Sequence, residues 1–269
     1  MSIAYQIVVC GGVVPDPLQT LEPVTGPNGP ALKNEMMLPH VLDPWAAHAL
    51  YEAAHLAKSA PGSKVYLVSV APKAKLQQVM MTIAQRVSLE LIAIDAPANG
   101  FVETVEIAAL LAAAIAAIPG LDHSRLLVFG GWESASHGAG ATMQIVGERL
   151  GIVDQFQGVD ELLVRDDGSL QILERVEGGQ HQVSVVIGPP AVLGWATGNL
   201  PEPANSPQIG MQNMRAIMPA LQKAKAAKVG STSIAYKSVA LPKLMRETRI
   251  VKDKEPGEIA AEIVEWLAN

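Results

Sequence analysis

Between residues 125 and 151 the chain passes from apolar, branched positions (Leu126, Leu127, Val128, Phe129) through about eight small or polar ones, and then Ala141, Ile145 and Leu150 return at helical spacing. That order predicts a strand buried on both faces, a loop of small residues, and a helix. Similar runs precede it. Residues 5–10, 64–70 and 89–94 read as strands, and residues 46–58, 73–87 and 102–118 as the helices between them. The first helix is opened by Asp43 as N-cap and Pro44 at its first position, with Ala49, Ala53 and Leu56 on one stripe. Strands alternating with helices imply right-handed crossovers, hence an α/β fold with a mainly parallel twisted sheet and helices on both faces.

After Gly151 the pattern changes. Residues 161–165 and 170–175 flank the turn Asp166-Asp167-Gly168-Ser169, and residues 183–187 follow Gly178-Gly179, which adds antiparallel hairpins to the sheet. From Gly188 onward Pro189, Pro190, Pro201, Pro203 and Pro207 leave little room for regular structure. Helices are expected near 211–228 and over 256–267, with an extended apolar piece at 231–241 between them. An arm of isolated apolar residues suits a partner surface better than independent folding.

In an open parallel sheet the loop after a strand lies at the carboxyl edge, where the free amides and positive dipole end of the next helix favour an anion. Gly138 and Gly140 would let a ligand approach the backbone. The same residues also suit a tight turn with no ligand, and the pattern leaves both readings open. Composition narrows the rest. With 269 residues the chain can bury about three quarters of its unfolded surface. Its single cysteine, Cys10, excludes an intrachain disulfide and a multi-cysteine zinc site, and fits a reducing compartment. A net charge of -6 with 17% charged residues argues against a nucleic-acid surface; Lys223, Lys225 and Lys228 form the one short basic run. The longest apolar tract, 107–118, falls short of the roughly 20 residues that cross a bilayer. No basic region followed by an apolar run marks the N-terminus, so the expectation is a soluble, cytoplasmic protein.

Other chemistry is weakly supported. Ser134-Ala135-Ser136-His137-Gly138 approximates a nucleophile elbow with its first glycine changed to serine, but a triad needs a later histidine, and His181 falls in an expected hairpin. Ser136 reads instead as a hydrogen-bond donor to a phosphate or as a helix cap. His48 and His55 stand seven apart on one helix, without the four-residue spacing of helical zinc ligands. Cys10 at a strand end reads as a small buried side chain, and Trp132 and Trp195 as packing residues.

Five segments taken in order resemble one family, the beta subunit of electron transfer flavoprotein, over residues 5–218. Val14-Pro15-Asp16-Pro17 is similar to that family's Val-Pro-Asp-Pro, Leu42-Asp43-Pro44-Trp45 to its Asn-Pro helix start, and Val68-Ser69-Val70-Ala71-Pro72 to its Val-Ser-Xaa-Gly-Pro. The central loop matches in position, and Val176-Glu177-Gly178-Gly179 followed by Pro190-Ala191-Val192 matches Val-Asp-Gly-Gly and Pro-Ala-Val.

The resemblance implies a nucleotide-binding fold like that of adenine nucleotide alpha-hydrolases. It also implies a heterodimer with an alpha subunit, carrying electrons from an acyl-CoA-type or amine/methyl-type dehydrogenase to a quinone oxidoreductase or similar acceptor. It implies FAD chiefly on the alpha subunit, and AMP, or in bifurcating members a second FAD, in this chain. The residues it assigns to that nucleotide are Cys10, Asp43, Pro44, Trp45, Ala46 and Val70, with Ser136, His137, Gly138, Ala139, Gly140, Ala141 and Thr142 from a loop that runs on to Gly147. It divides the chain into a nucleotide-binding domain (1–198), a partner-recognition loop (199–218) in which Ile209, Met211 and Met214 dock the redox partner, and an arm (219–269) that packs on the alpha subunit. No catalytic residue and no metal are implied. Ser136, Gly138 and Ala141 stand where the family carries carboxylates and an amide, Met143 where it has glycine, and Gly11-Gly12 where it has Val-Lys. A free-standing adenine-nucleotide-binding module is the alternative.

Overall fold

The chain is described by a computed structural model covering residues 3–27, 29–136, 138–230, 236–243 and 248–268. The innermost strand is β1 (Gln6–Cys10), buried along its whole length because both faces of the sheet are covered. Ile7 and Val9 point into one core, Val8 and Cys10 into the other. On one side β1 pairs in parallel with β6 (Lys64–Ala71), which pairs with β7 (Glu90–Asp95); on the other it pairs in parallel with β8 (Leu126–Gly131). The chain thus moves outward twice and then crosses back over β1, which makes the carboxyl ends of β1 and β8 a topological switch point, where open α/β sheets bind ligands.

Helices α1 (Pro44–Ser59), α2 (Lys73–Ile83) and α5 (Pro207–Gln222) supply one core through Ala46, Ala49, Leu50 and Ala53, through Leu76, Met80 and Ile83, and through Ile217 and Leu221. Helices α3 (Thr104–Ala116) and α4 (Thr142–Leu150) supply the other through Ala108, Leu111, Ile115, Met143 and Val146. The alanine stripe lets α1 lie close on the sheet. α1 begins at the expected place, with the Asp43 carboxylate accepting from the Trp45 amide at 3.1 Å.

The sheet is completed by β12 (Ala191–Trp195) beside β8, then β9 (Gln155–Val164), β10 (Leu170–Val176) and the edge strand β11 (Gln180–Val186), the last three antiparallel as the turn residues foretold. A short β13 (Lys225–Ala226) extends the opposite edge in parallel with β7. The excursion after Gly12 holds two small hairpins. β2 (Val13–Pro15) pairs with β5 (His40–Leu42), and β3 (Pro23–Gly26) with β4 (Gly29–Leu32). The first matters most, since it returns the chain to Gly12, whose carbonyl accepts the Asp43 amide at 2.8 Å.

Helix α5 starts at Pro207, earlier than its pattern suggests, and tolerates Pro219 in its last turn. Asn213 anchors it, donating from Nδ2 to the Ala84 and Val87 carbonyls at 2.7 and 2.8 Å and so satisfying the end of α2. The chain divides into two units, Met1–Val239 and Ala240–Asn269. The second holds α6 (Pro256–Ala268), whose Glu262 pairs with Arg249 and with Lys254, and whose Trp266 and Leu267 are 84% and 81% exposed. The extended piece expected at 231–241 lies partly outside the described residues.

Candidate functional site

At the switch point the segment after β1, the β7–α3 loop and the β8–α4 loop enclose a cleft of about 130 Å³. That volume holds several waters, which is more than a packing defect leaves. Its floor is Cys10 and Val70, at the ends of β1 and β6. Cys10 is buried, and desolvation pushes its thiol up to about 12, so it stays protonated at neutral pH and serves as an apolar wall.

Asp43 joins two sides of the cleft. Besides capping α1, its Oδ2 accepts the Ala135 amide of the β8–α4 loop at 2.9 Å. Burial raises its pKa, and the amides of Ala135, Trp45 and Ala46 pull it back. The chain approaches itself closely here: a Cβ on Gly131 would lie 2.5 Å from the Trp45 Cβ and 2.9 Å from the Glu133 carbonyl oxygen. Gly131 is therefore required by contact, whereas a Cβ on Gly12 would meet nothing within 4 Å.

The β8–α4 loop supplies hydroxyls and a helix end. Ser134 Oγ accepts the Ala139 amide at 3.2 Å, and the Ser134 carbonyl accepts from Gly138, which lies in the left-handed region at φ 64. α4 has no side-chain cap, and the amides of Thr142, Met143 and Gln144 meet no protein acceptor among the described residues. Across the cleft, Gly100 packs on Ser136: a Cβ there would stand 3.1 Å from the Ser136 Cβ. Met143 lines the wall with its sulfur seated against Gly130, and Trp132 meets Trp45 edge-on at 6.0 Å, so neither fills the space.

Of the residues singled out from the sequence, Cys10, Asp43, Ala46, Val70, Ser136, Ala139 and Thr142 line this cleft. Pro44 lines a separate surface groove with His48 and Tyr51, and Trp45 packs on Trp132. Gly138, Gly140 and Ala141 belong to the loop without lining the cleft, and His137 lies outside the described residues. Sequence reasoning missed Asn99, Thr104, Glu133 and the whole β7–α3 side. The signal available was the Pro97 to Gly100 break after a strand next to the switch point.

An adenine nucleotide would bring an aromatic base, a ribose diol and a phosphate. Val14, Val70, Val102, Ile107 and Leu111 suit the base, and Asn99, Ser134, Thr142 and Glu133 suit hydroxyls. For a phosphate the cleft offers the Ser134, Ser136 and Thr142 hydroxyls and the unpartnered amides at the start of α4, while the charged groups among the described lining residues are Asp43 and Glu133, with no Lys, Arg or His.

Beyond the cleft, Glu52 on α1 accepts the amides of Asn199 and Leu200, both at 3.0 Å, while Glu202 takes the Tyr51 hydroxyl at 2.6 Å and pairs with Arg86. These contacts fix the approach to α5, where Ile209 and Met211 are exposed and Met214 packs against the core. His181 bonds Asp160 at 3.0 Å and is absent from the cleft lining, so no triad forms with Ser136. No group of His, Cys, Asp and Glu among the described residues is arranged to hold a metal, and no helix there is long and apolar enough to cross a membrane. A family model described as electron transfer flavoprotein domain matches residues 34–233. No curated protein matches the chain.

Proposed function

The chain belongs to the electron transfer flavoprotein family, and from that premise we propose that it is the beta-type subunit of a heterodimeric carrier relaying electrons from a dehydrogenase to a quinone oxidoreductase or similar acceptor. The observation that carries this reading is the convergence of Cys10, Asp43, Ala46, Val70, Ser136, Ala139 and Thr142, drawn from four separate segments, in one cleft at the switch point. Seven of the thirteen positions that the beta-subunit resemblance assigns to a nucleotide thus line this cleft, which supports the reading.

The flavin, FAD held mainly by an alpha-type subunit, supplies the redox chemistry. The residues of this chain bind and orient. Asp43 ties the β8–α4 loop to α1, and the Glu52 and Glu202 contacts position α5 so that Ile209 and Met211 face a redox partner. Unbranched Met211 adapts to such a surface, with Met214 packed behind it. The exposed Ile263, Trp266 and Leu267 of α6 give the alpha-type subunit an apolar helix face to bury. The cleft is the place for an adenine compound.

The test is purification of the full chain co-expressed with an alpha-type flavoprotein subunit. The expected product is a yellow heterodimer whose flavin is reduced by a dehydrogenase and reoxidised by a quinone reductase. A colourless homodimer that ignores the alpha-type subunit would favour the free-standing module instead.

A further inference from the structure

We propose that the outer edge of β11 is an interface with a second copy of this chain, the two β11 strands pairing antiparallel about a twofold axis through Ser184. The two edges of the large sheet are finished differently. At one, β13 is two residues long and begins with Lys225, a short charged end of the kind that blocks strand addition. At the other, β11 runs for seven residues, and among the described residues no strand pairs with its outer side. Its ladder with β10 is unbroken by a bulge, and it contains no Lys, Arg, Asp, Glu or Pro. His181 is its one titratable group, and that ring is engaged by Asp160 at 3.0 Å. None of the usual protections of a free edge is present.

The order of residues along the strand says which partner fits. Val183 and Val185 lie on one face, 55% and 48% exposed, on either side of Ser184. Turning an antiparallel copy about Ser184 sets Val183 opposite the partner's Val185, and Val185 opposite the partner's Val183, with residues 182–186 of both copies in the ladder. Such β-branched pairs stabilise adjacent strands. On the other face Ser184 meets its own copy and Gln182 meets the partner's Val186, so no like charges are brought together. An axis through Val183 would leave one valine pair in place of two, with Val185 facing the partner's His181. Because the axis stands perpendicular to the sheet, each face stays on its own side. Leu163 and Leu173, which share the face of Val183 through the β9–β10–β11 register, then extend one apolar band across both copies.

Analytical ultracentrifugation of the full chain, alone and with an alpha-type subunit, tests this at about 50 μM. The expected assembly contains two copies of this chain in either case. Val183→Lys and Val185→Glu should each weaken the pairing by about tenfold or more, while the two together in one chain place opposite charges across the axis and should restore it to within about threefold. Circular dichroism checks that each variant folds, and if Val183→Lys did not, Val185→Glu alone would decide. One copy of this chain per particle, a dimer indifferent to the single substitutions, or a double variant that does not recover would overturn the proposal. A yellow assembly with one copy of each subunit would do so while leaving the carrier reading intact. A colourless dimer that Val183→Lys splits would uphold the proposal and remove the carrier reading.

Discussion

Gly131 lies where β8 passes under the start of α1, and Gly131→Ala tests whether that crossing positions the cleft. The added methyl would stand 2.5 Å from the Trp45 Cβ, 2.9 Å from the Glu133 carbonyl oxygen and 3.3 Å from the Ala46 amide nitrogen. Carbon atoms prefer about 3.5–4.0 Å, so the shortfall exceeds about 1 Å at the closest contact. Two of the three neighbours are backbone and the third is a Cβ, so no side-chain rotation relieves the clash. Either the methyl is overpacked, at about 1–3 kcal/mol, or α1 moves away and the bond from the Ala135 amide to Asp43 is lost, at about 1.5–3 kcal/mol. Replacing glycine by alanine in a strand returns about 0.5 kcal/mol. The expected net loss is about 2 kcal/mol, or roughly 4–8 °C in melting temperature for a unit of this size. Urea unfolding followed by tryptophan fluorescence measures it, with Trp45 and Trp132 reporting from the crossing itself. Gly12→Ala is the control: with nothing within 4 Å of its Cβ, it should fall within about 0.5 kcal/mol of wild type. If the two variants were equally stable, the tight crossing would be refuted.

Three further outcomes follow from the same geometry. Asp43→Ala removes a cap and a bridge between loops, and should cost about 2–4 kcal/mol in denaturant unfolding. Asn213→Ala strands the carbonyls of Ala84 and Val87 in a buried place and should cost about 2–4 kcal/mol, loosening α5 first, which amide exchange across residues 207–222 would detect. Burial pushes the Asp160 carboxyl up, but its bonds from Arg175 and His181 outweigh this and leave its pKa below the ordinary value. A depressed carboxyl pKa contributes stability that is fully present above the unfolded value near 4 and is lost as pH falls through the folded one. The stability gap between wild type and Asp160→Asn should therefore be constant near neutrality and shrink below about pH 4 in acid titrations of unfolding.

The alternation of strand and helix, the double burial of 126–129, the Asp43-Pro44 helix start and the hairpin turn at 166–169 could all be read in advance, because each depends on neighbours within a few residues. The spacing of α5 was harder. The pattern places a helix near 211–228 while the prolines argue against regular structure as far as Pro207, yet Pro207 sits in the first turn where no amide partner is missed, Asn213 is held by the end of α2, and Ile217 packs in the core. Met214 has the same composition signal as Met211, and only packing separates the one turned to the core from the one left outside.

The chain by itself determined that there would be a parallel sheet with a small-residue loop at its edge, because periodicity and turn chemistry are local. It could not determine that Glu133 would share a cleft with Asn99 and Thr104, or that Trp45 would turn onto Trp132. Those meetings depend on the crossover that brings β8 back beside β1, and segments far apart in sequence carry no local mark of the charge each will face.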